Sequence, residues 1–92
     1  MADVVVSLRI MPKEVNTDIS VLESNAKKEI VSFCRSNEFR TRVQPIAFGL
    51  KALEIIFVMD ENKGSTEELE KKISMIPGVE SVEVTDVRRA IG

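Results

Sequence analysis

Four stretches of this chain alternate apolar and polar residues with a period of two, and two stretches carry apolar residues at helical spacing. The most apolar run is Lys51 to Asp60, KALEIIFVMD, in which Leu53, Ile55, Phe57 and Met59 alternate with Ala52, Glu54, Ile56 and Val58. That pattern predicts a central strand with at least one buried face. Asp3 to Met11 behaves alike: Val4, Val6, Leu8 and Ile10 point one way and Val5, Ser7, Arg9 and Met11 the other, until Pro12 stops the run. Phe39 to Gln44 is charged at alternate positions, Arg40 and Arg42, as suits a strand exposed on one face or at an edge. Val79 to Val87 completes the set, with Val82 and Val84 on one face.

Ile19, Leu22, Ala26, Ile30 and Phe33 form one helical stripe. Asn16, Thr17 or Asp18 can cap that helix, Ser20 with Glu23 offers a second capping box, and the helix fades between Cys34 and Asn37. Glu23 is placed to pair with Lys27. A shorter helix follows the polar turn Asp60–Gly64. Ser65 and Glu68 read as its capping box, Leu69, Ile73 and Ile76 as its stripe, and Pro77-Gly78 as its end. Glu67 with Lys71 and Glu68 with Lys72 have the favourable order for helical ion pairs.

The order strand, helix, strand, strand, helix, strand predicts an α+β fold of ferredoxin-like βαββαβ type, a four-stranded antiparallel sheet with both helices on one face. Right-handed crossovers place the first and third strands at the centre, in keeping with their apolar character. The other face carries Val5, Met11, Ile56 and Val58 among polar residues. At 92 residues the chain is one domain, 1–92, with room for a single core.

Between the second and third strands stands Pro45-Ile46-Ala47-Phe48-Gly49-Leu50. Pro45 cannot donate to a ladder and Gly49 tolerates a positive φ, so the chain turns here. Phe48 at the tip is either folded back onto the sheet or an anchor for a partner.

Composition narrows the chemistry. A net charge of −2 with only 4% aromatic residues speaks against direct nucleic-acid binding, by a sheet face or otherwise. No apolar run reaches the ~20 residues of a membrane helix, and no leader pattern is present, so a cytoplasmic protein without a membrane partner is expected. The chain has no histidine, the commonest general base and metal ligand, and nothing of that kind activates its single cysteine, Cys34. Asp60-x-Asn62 opens like a calcium loop, but Ser65 and Lys71 occupy the positions that need glycine and glutamate. Glu67, Glu68 and Glu70 read as a solvated helix face. The expectation is a protein with no catalytic residues, metal or cofactor.

PIAFGLKALEIIFVMDENKG, followed by the short acidic helix and the ending VESVEVTDVRRAIG, resembles the nucleotide-exchange domain of translation elongation factor 1-beta in its short archaeal form, over nearly the whole chain. The resemblance implies a guanine-nucleotide exchange factor that promotes GDP release from the GTPase elongation factor 1-alpha. It further implies partner contacts at Pro45, Ile46, Phe48 and Gly49. A basic residue near the chain end, Arg89 with Arg88 as the alternative in register, would enter the partner's magnesium and phosphate region. Larger relatives carry transferase-like and acidic linker regions that this sequence does not match, so scaffolding roles are not carried over. The chain is expected to be a monomer when alone. A different class of reading, a small ferredoxin-like regulatory or ligand-binding domain dimerising through its open sheet face, shares the fold but gives no reason for a phenylalanine at a turn tip or two arginines at the end.

Overall fold

Strands need partners for their backbone N–H and C=O groups, and the four alternating stretches satisfy one another in a single antiparallel sheet. A computed structural model describes residues 3–34 and 39–89, with Lys63 described by its backbone alone. The strands are β1 (Asp3–Pro12), β2 (Phe39–Pro45), β3 (Lys51–Asp60) and β4 (Val79–Arg89), and the helices are α1 (Ile19–Cys34) and α2 (Glu67–Ser74). Across the sheet the order is β2-β3-β1-β4, so the two most apolar strands take the centre as expected.

Residues directly opposite one another share a face. Val6 lies opposite Phe57, Leu8 opposite Ile55 and Ile10 opposite Leu53, which gathers the apolar side chains of both central strands on one side. Leu22, Ala26 and Ile30 of α1 and Leu69 and Ile73 of α2 are buried in the same cluster. Both helices therefore cover that face and leave the other open. The arrangement is the ferredoxin-like α+β fold.

Local chemistry decides where the helices begin. The Asp18 carboxylate accepts from the backbone N–H groups of Ser20 at 3.0 Å and Val21 at 3.3 Å, so the aspartate is the cap of α1 among the three candidates. Ser20 then lies inside the helix, and the second capping box does not form. Glu23 and Lys27 pair at 3.1 Å as the spacing predicts. Cys34 is half-buried and donates to the Ile30 carbonyl at 3.1 Å. Residues 35–37, where the sequence predicts fading, lie outside the described residues.

For α2 the expected capping box is corrected. Ser65 Oγ accepts from Glu67 N–H at 3.1 Å, too early to reach the third helical residue. Thr66 occupies the cap position and its hydroxyl donates to Glu70 Oε2 at 2.9 Å. The ion pairs foreseen between Glu67 and Lys71 and between Glu68 and Lys72 are absent among the described residues. Ile76 follows the helix in a turn and still packs on the core.

β4 runs two residues past the expected end at Val87, and it contains a bulge. Ser7 faces Asp86 and Leu8 faces Val84, leaving Thr85 without a ladder partner, although its hydroxyl donates to the Ser7 carbonyl at 3.3 Å. The extra residue resets the alternation. Val82 and Val84 point to the helices before it, and Val87 and Arg89 do so after it. Asp86 and Arg88 are sent to the open face.

Candidate functional site

The hairpin between β2 and β3 is closed by two backbone bonds of 2.9 Å, from Ile46 N–H to the Leu50 carbonyl and from Leu50 N–H to the Ala47 carbonyl. Phe48 and Gly49 sit between them with φ of 53° and 81°. Glycine accepts this region freely, whereas a side chain there costs on the order of 1–2 kcal/mol. Phe48 is the one non-glycine residue of positive φ among those described. Its ring is 96% exposed, so it is not folded back onto the sheet. A strained backbone thus holds a large apolar side chain in water.

Pro45 is the last residue of β2, opposite Lys51, at an edge where the ladder tolerates a missing N–H. Ile46 is also exposed, so the tip presents two apolar side chains. Val15, on the connection between β1 and α1, adds a third. A Cβ on Gly49 would come within 3.3 Å of Val15 Cγ1, and Val15 is itself exposed. Sequence reasoning missed Val15. Its only signal is an isolated valine in the polar run KEVNTD, with no periodic partner.

Arg88 and Arg89 are strand residues, opposite Val5 and Val4. Arg88 points to the open face, and its guanidinium pairs with the Asp86 carboxylate at 2.8 Å. Arg89 points to the helix side and donates to Glu61 at 3.0 Å, where the chain leaves β3. All four side chains remain substantially solvated, so each pair is worth roughly 0–1 kcal/mol and a partner can recruit either arginine cheaply.

These two features are not brought together. Phe48 follows the Pro12 end of β1, and Arg89 lies beside Val4 at the other end. The ten residues of β3 between them span roughly 30 Å, in a molecule 42 Å long. One pocket cannot take both.

A family model described as the EF-1 guanine nucleotide exchange domain matches residues 5–90. Among curated proteins, the elongation factor 1-beta of Methanococcoides burtonii is 36% identical over 91 residues, covering 99% of this chain and all of that protein. That of Methanocella arvoryzae is 40% identical, covering 98% of this chain and 99% of its own. That of Methanothermobacter thermautotrophicus is 37% identical, with 97% and 98% covered. Two solved structures share the fold alone. They are the designed protein Foldit4 (TM-score 0.63, 19% identity, 98% of both chains) and the C-terminal domain of MgtC from Mycobacterium tuberculosis (TM-score 0.51, 21% identity, 98% of this chain and 88% of that one).

Proposed function

Since this chain belongs to the elongation factor 1-beta family and is a guanine-nucleotide exchange domain, we propose that it speeds GDP release from elongation factor 1-alpha by gripping it at two separate places, the Phe48 tip and the Arg88-Arg89 strand end. The observation that carries the reading is the strained, water-exposed Phe48 on a hydrogen-bonded turn. Pro45, Ile46 and Gly49 hold and flank that ring. Such an aromatic on a rigid scaffold is suited to filling a pocket at little ordering cost.

No covalent bond need form or break. An exchange factor stabilises the empty GTPase relative to the loaded one, and GDP must weaken its binding by the same factor. A GTPase holds GDP partly through magnesium bridging the phosphates to protein oxygens. A guanidinium brought to that place supplies a single charge without the ion's bridging geometry. It still neutralises the acidic groups left behind in the empty state. Arg89, or Arg88 on the opposite face of the strand, has this role. One copy of the chain serves one GTPase, in the cytoplasm, without direct contact to nucleic acid or membrane.

The test is GDP release from elongation factor 1-alpha over a magnesium series, for the full chain and for a form lacking residues 88–92. Truncation is expected to slow exchange strongly while weakening binding to the empty GTPase less. Magnesium should inhibit the full chain by the larger fraction. Equal fractional inhibition, or full activity after truncation, overturns the role of the arginines.

A further inference from the structure

We propose that two copies of this chain associate reversibly through the open sheet face, about a two-fold axis parallel to the strands and midway between β3 and β1. The association does not depend on the exchange reading, and it departs from the expectation of a monomer.

The inference rests on how charge is arranged in rows across the sheet. Register places Arg42 opposite Glu54, Glu54 opposite Arg9, and Arg9 opposite Glu83. Read from β2 to β4, that row is plus, minus, plus, minus. The neighbouring row is Arg40, Ile56, Ser7, Asp86, which is plus, neutral, neutral, minus. A two-fold parallel to the strands lays each row over its own reverse. Arg42 then meets Glu83 of the second copy, Glu54 meets Arg9, and Arg40 meets Asp86, each contact occurring twice by symmetry. Beyond the Arg40 row, the row of Val58, Val5 and Arg88 sets Val58 against Val5 of the second copy and leaves Arg88 at the rim, while Gln44, Ala52, Met11 and Ser81 are neutral throughout. Turning the second copy end for end instead sets the arginines of β2 against arginines and the carboxylates of β4 against carboxylates. The pattern therefore selects one orientation.

Within one chain the rows are only partly satisfied. Arg42 and Glu54 pair at 2.7 Å, Arg9 and Glu83 at 2.6 Å, and Asp86 with Arg88 at 2.8 Å, so Asp86 would be shared between Arg88 and Arg40 of the second copy. Arg40 is exposed and has no ionic partner among the described residues. It lines a shallow hollow of about 270 Å³ with Arg42, Glu54 and Ile56 on the β2 side of this face. Val5, Met11, Ile56 and Val58 are half-buried and supply the apolar part of the contact.

Four strands about 4.8 Å apart and four rows of alternate residues give a footprint of roughly 400–500 Å² per copy. The total, about 800–1,000 Å², falls below the ~1,200–2,000 Å² of stable complexes. Solvated ion pairs must also lose water on stacking. The dimer is accordingly weak, with a dissociation constant on the order of 100 μM, and it is sensitive to salt.

Sedimentation velocity of the full chain, from about 10 μM to about 1 mM in low salt and again near 0.5 M salt, reads this directly. The expected result is a monomer–dimer equilibrium that stops at two copies and weakens several-fold in high salt. Arg40→Glu should raise the dissociation constant roughly tenfold. Arg40→Glu combined with Asp86→Arg should bring it back to within about threefold of the parent. Those two positions are on opposite edges of one sheet, about 14 Å apart, so they can rescue each other only between copies. Ile56→Asp, at the centre of the face, should abolish the dimer. All of these positions face away from the helices, Arg40 and Asp86 exposed and Ile56 half-buried, and melting curves verify that each variant is folded. A chain that sediments as a monomer throughout overturns the proposal. So does a double variant that is not rescued, or growth past two copies that tolerates Ile56→Asp, which is the behaviour of head-to-tail pairing between the β2 and β4 edges.

Discussion

Replacing Phe48 with alanine separates a partner contact from a core contact more sharply than any other change. The ring is 96% exposed, so its loss removes almost no area that folding had buried. Alanine keeps a Cβ, so the strain at φ 53° is retained. Stability should change by less than about 0.5 kcal/mol, a shift of no more than roughly 4 °C for a domain of this size. Phe48→Gly relieves the strain and should melt no lower than the alanine form. Binding behaves differently. Truncating a phenylalanine seated in a pocket to alanine removes about 80–150 Å² of apolar contact, and at ~25 cal/mol per Å² that costs roughly 2–4 kcal/mol. Affinity for nucleotide-free elongation factor 1-alpha, and the exchange rate at sub-saturating concentration, should fall about 30-fold or more. Release of a fluorescent GDP followed by stopped flow, beside a thermal melt by circular dichroism, measures both quantities. A large drop in melting temperature with near-normal exchange would refute the reasoning, because it would make Phe48 a packing residue.

Two further perturbations address the frame and the basic end. Phe57 is fully buried at the centre of the sheet. Phe57→Ala should therefore cost roughly 3–5 kcal/mol, enough to unfold much of a domain this small, as a urea titration would show. Glu61→Gln removes the carboxylate that holds Arg89 within the chain. It should lower stability by at most about 1 kcal/mol while leaving GDP release as fast or up to about fivefold faster. Slower release in this variant would mean that the docked arrangement is itself the active one.

The central frame was legible because it follows from short-range periodicity. Leu53, Ile55, Phe57 and Met59 announce both the strand and its buried face, and Pro12 and Pro77-Gly78 mark the ends of neighbouring elements. The helix starts were less sharply legible, because several hydroxyl and carboxylate side chains near each start can reach the same backbone N–H groups. Asp18 takes them at α1, whereas at α2 Ser65 accepts from the Glu67 N–H and Thr66, in the cap position, makes no side-chain cap bond, so the choice depends on how each loop enters the helix. The bulge at Thr85 is set by register against β1, a contact far away along the chain. A trace of it is visible in the spacing of Val82, Val84 and Val87, two then three, which breaks the alternation. The direction of each arginine followed from that bulge and could not be read without it. Exposure of Phe48 was left open between two outcomes, because a turn places a side chain at the tip without deciding whether it folds back.

The length of β3 makes the sheet a calliper. Its two jaws, the hairpin tip and the β4 end, are joined by paired backbone rather than by a linker, so their separation of roughly 30 Å has little freedom to vary. Once one jaw is seated, the other is presented to the GTPase at a fixed distance. Its effective local concentration is then high if the target lies at that span, and close to zero if the target has moved. A GTPase that changes the spacing between its own two contact points as nucleotide enters would therefore lose one jaw abruptly and keep the other. On the proposed two-point grip, release would be stepwise, the factor letting go of the nucleotide end while still held at the far one. Inserting two residues in each of the four strands, which preserves the pleat and lengthens the gap by about 7 Å, would leave each contact intact and remove the benefit of having both.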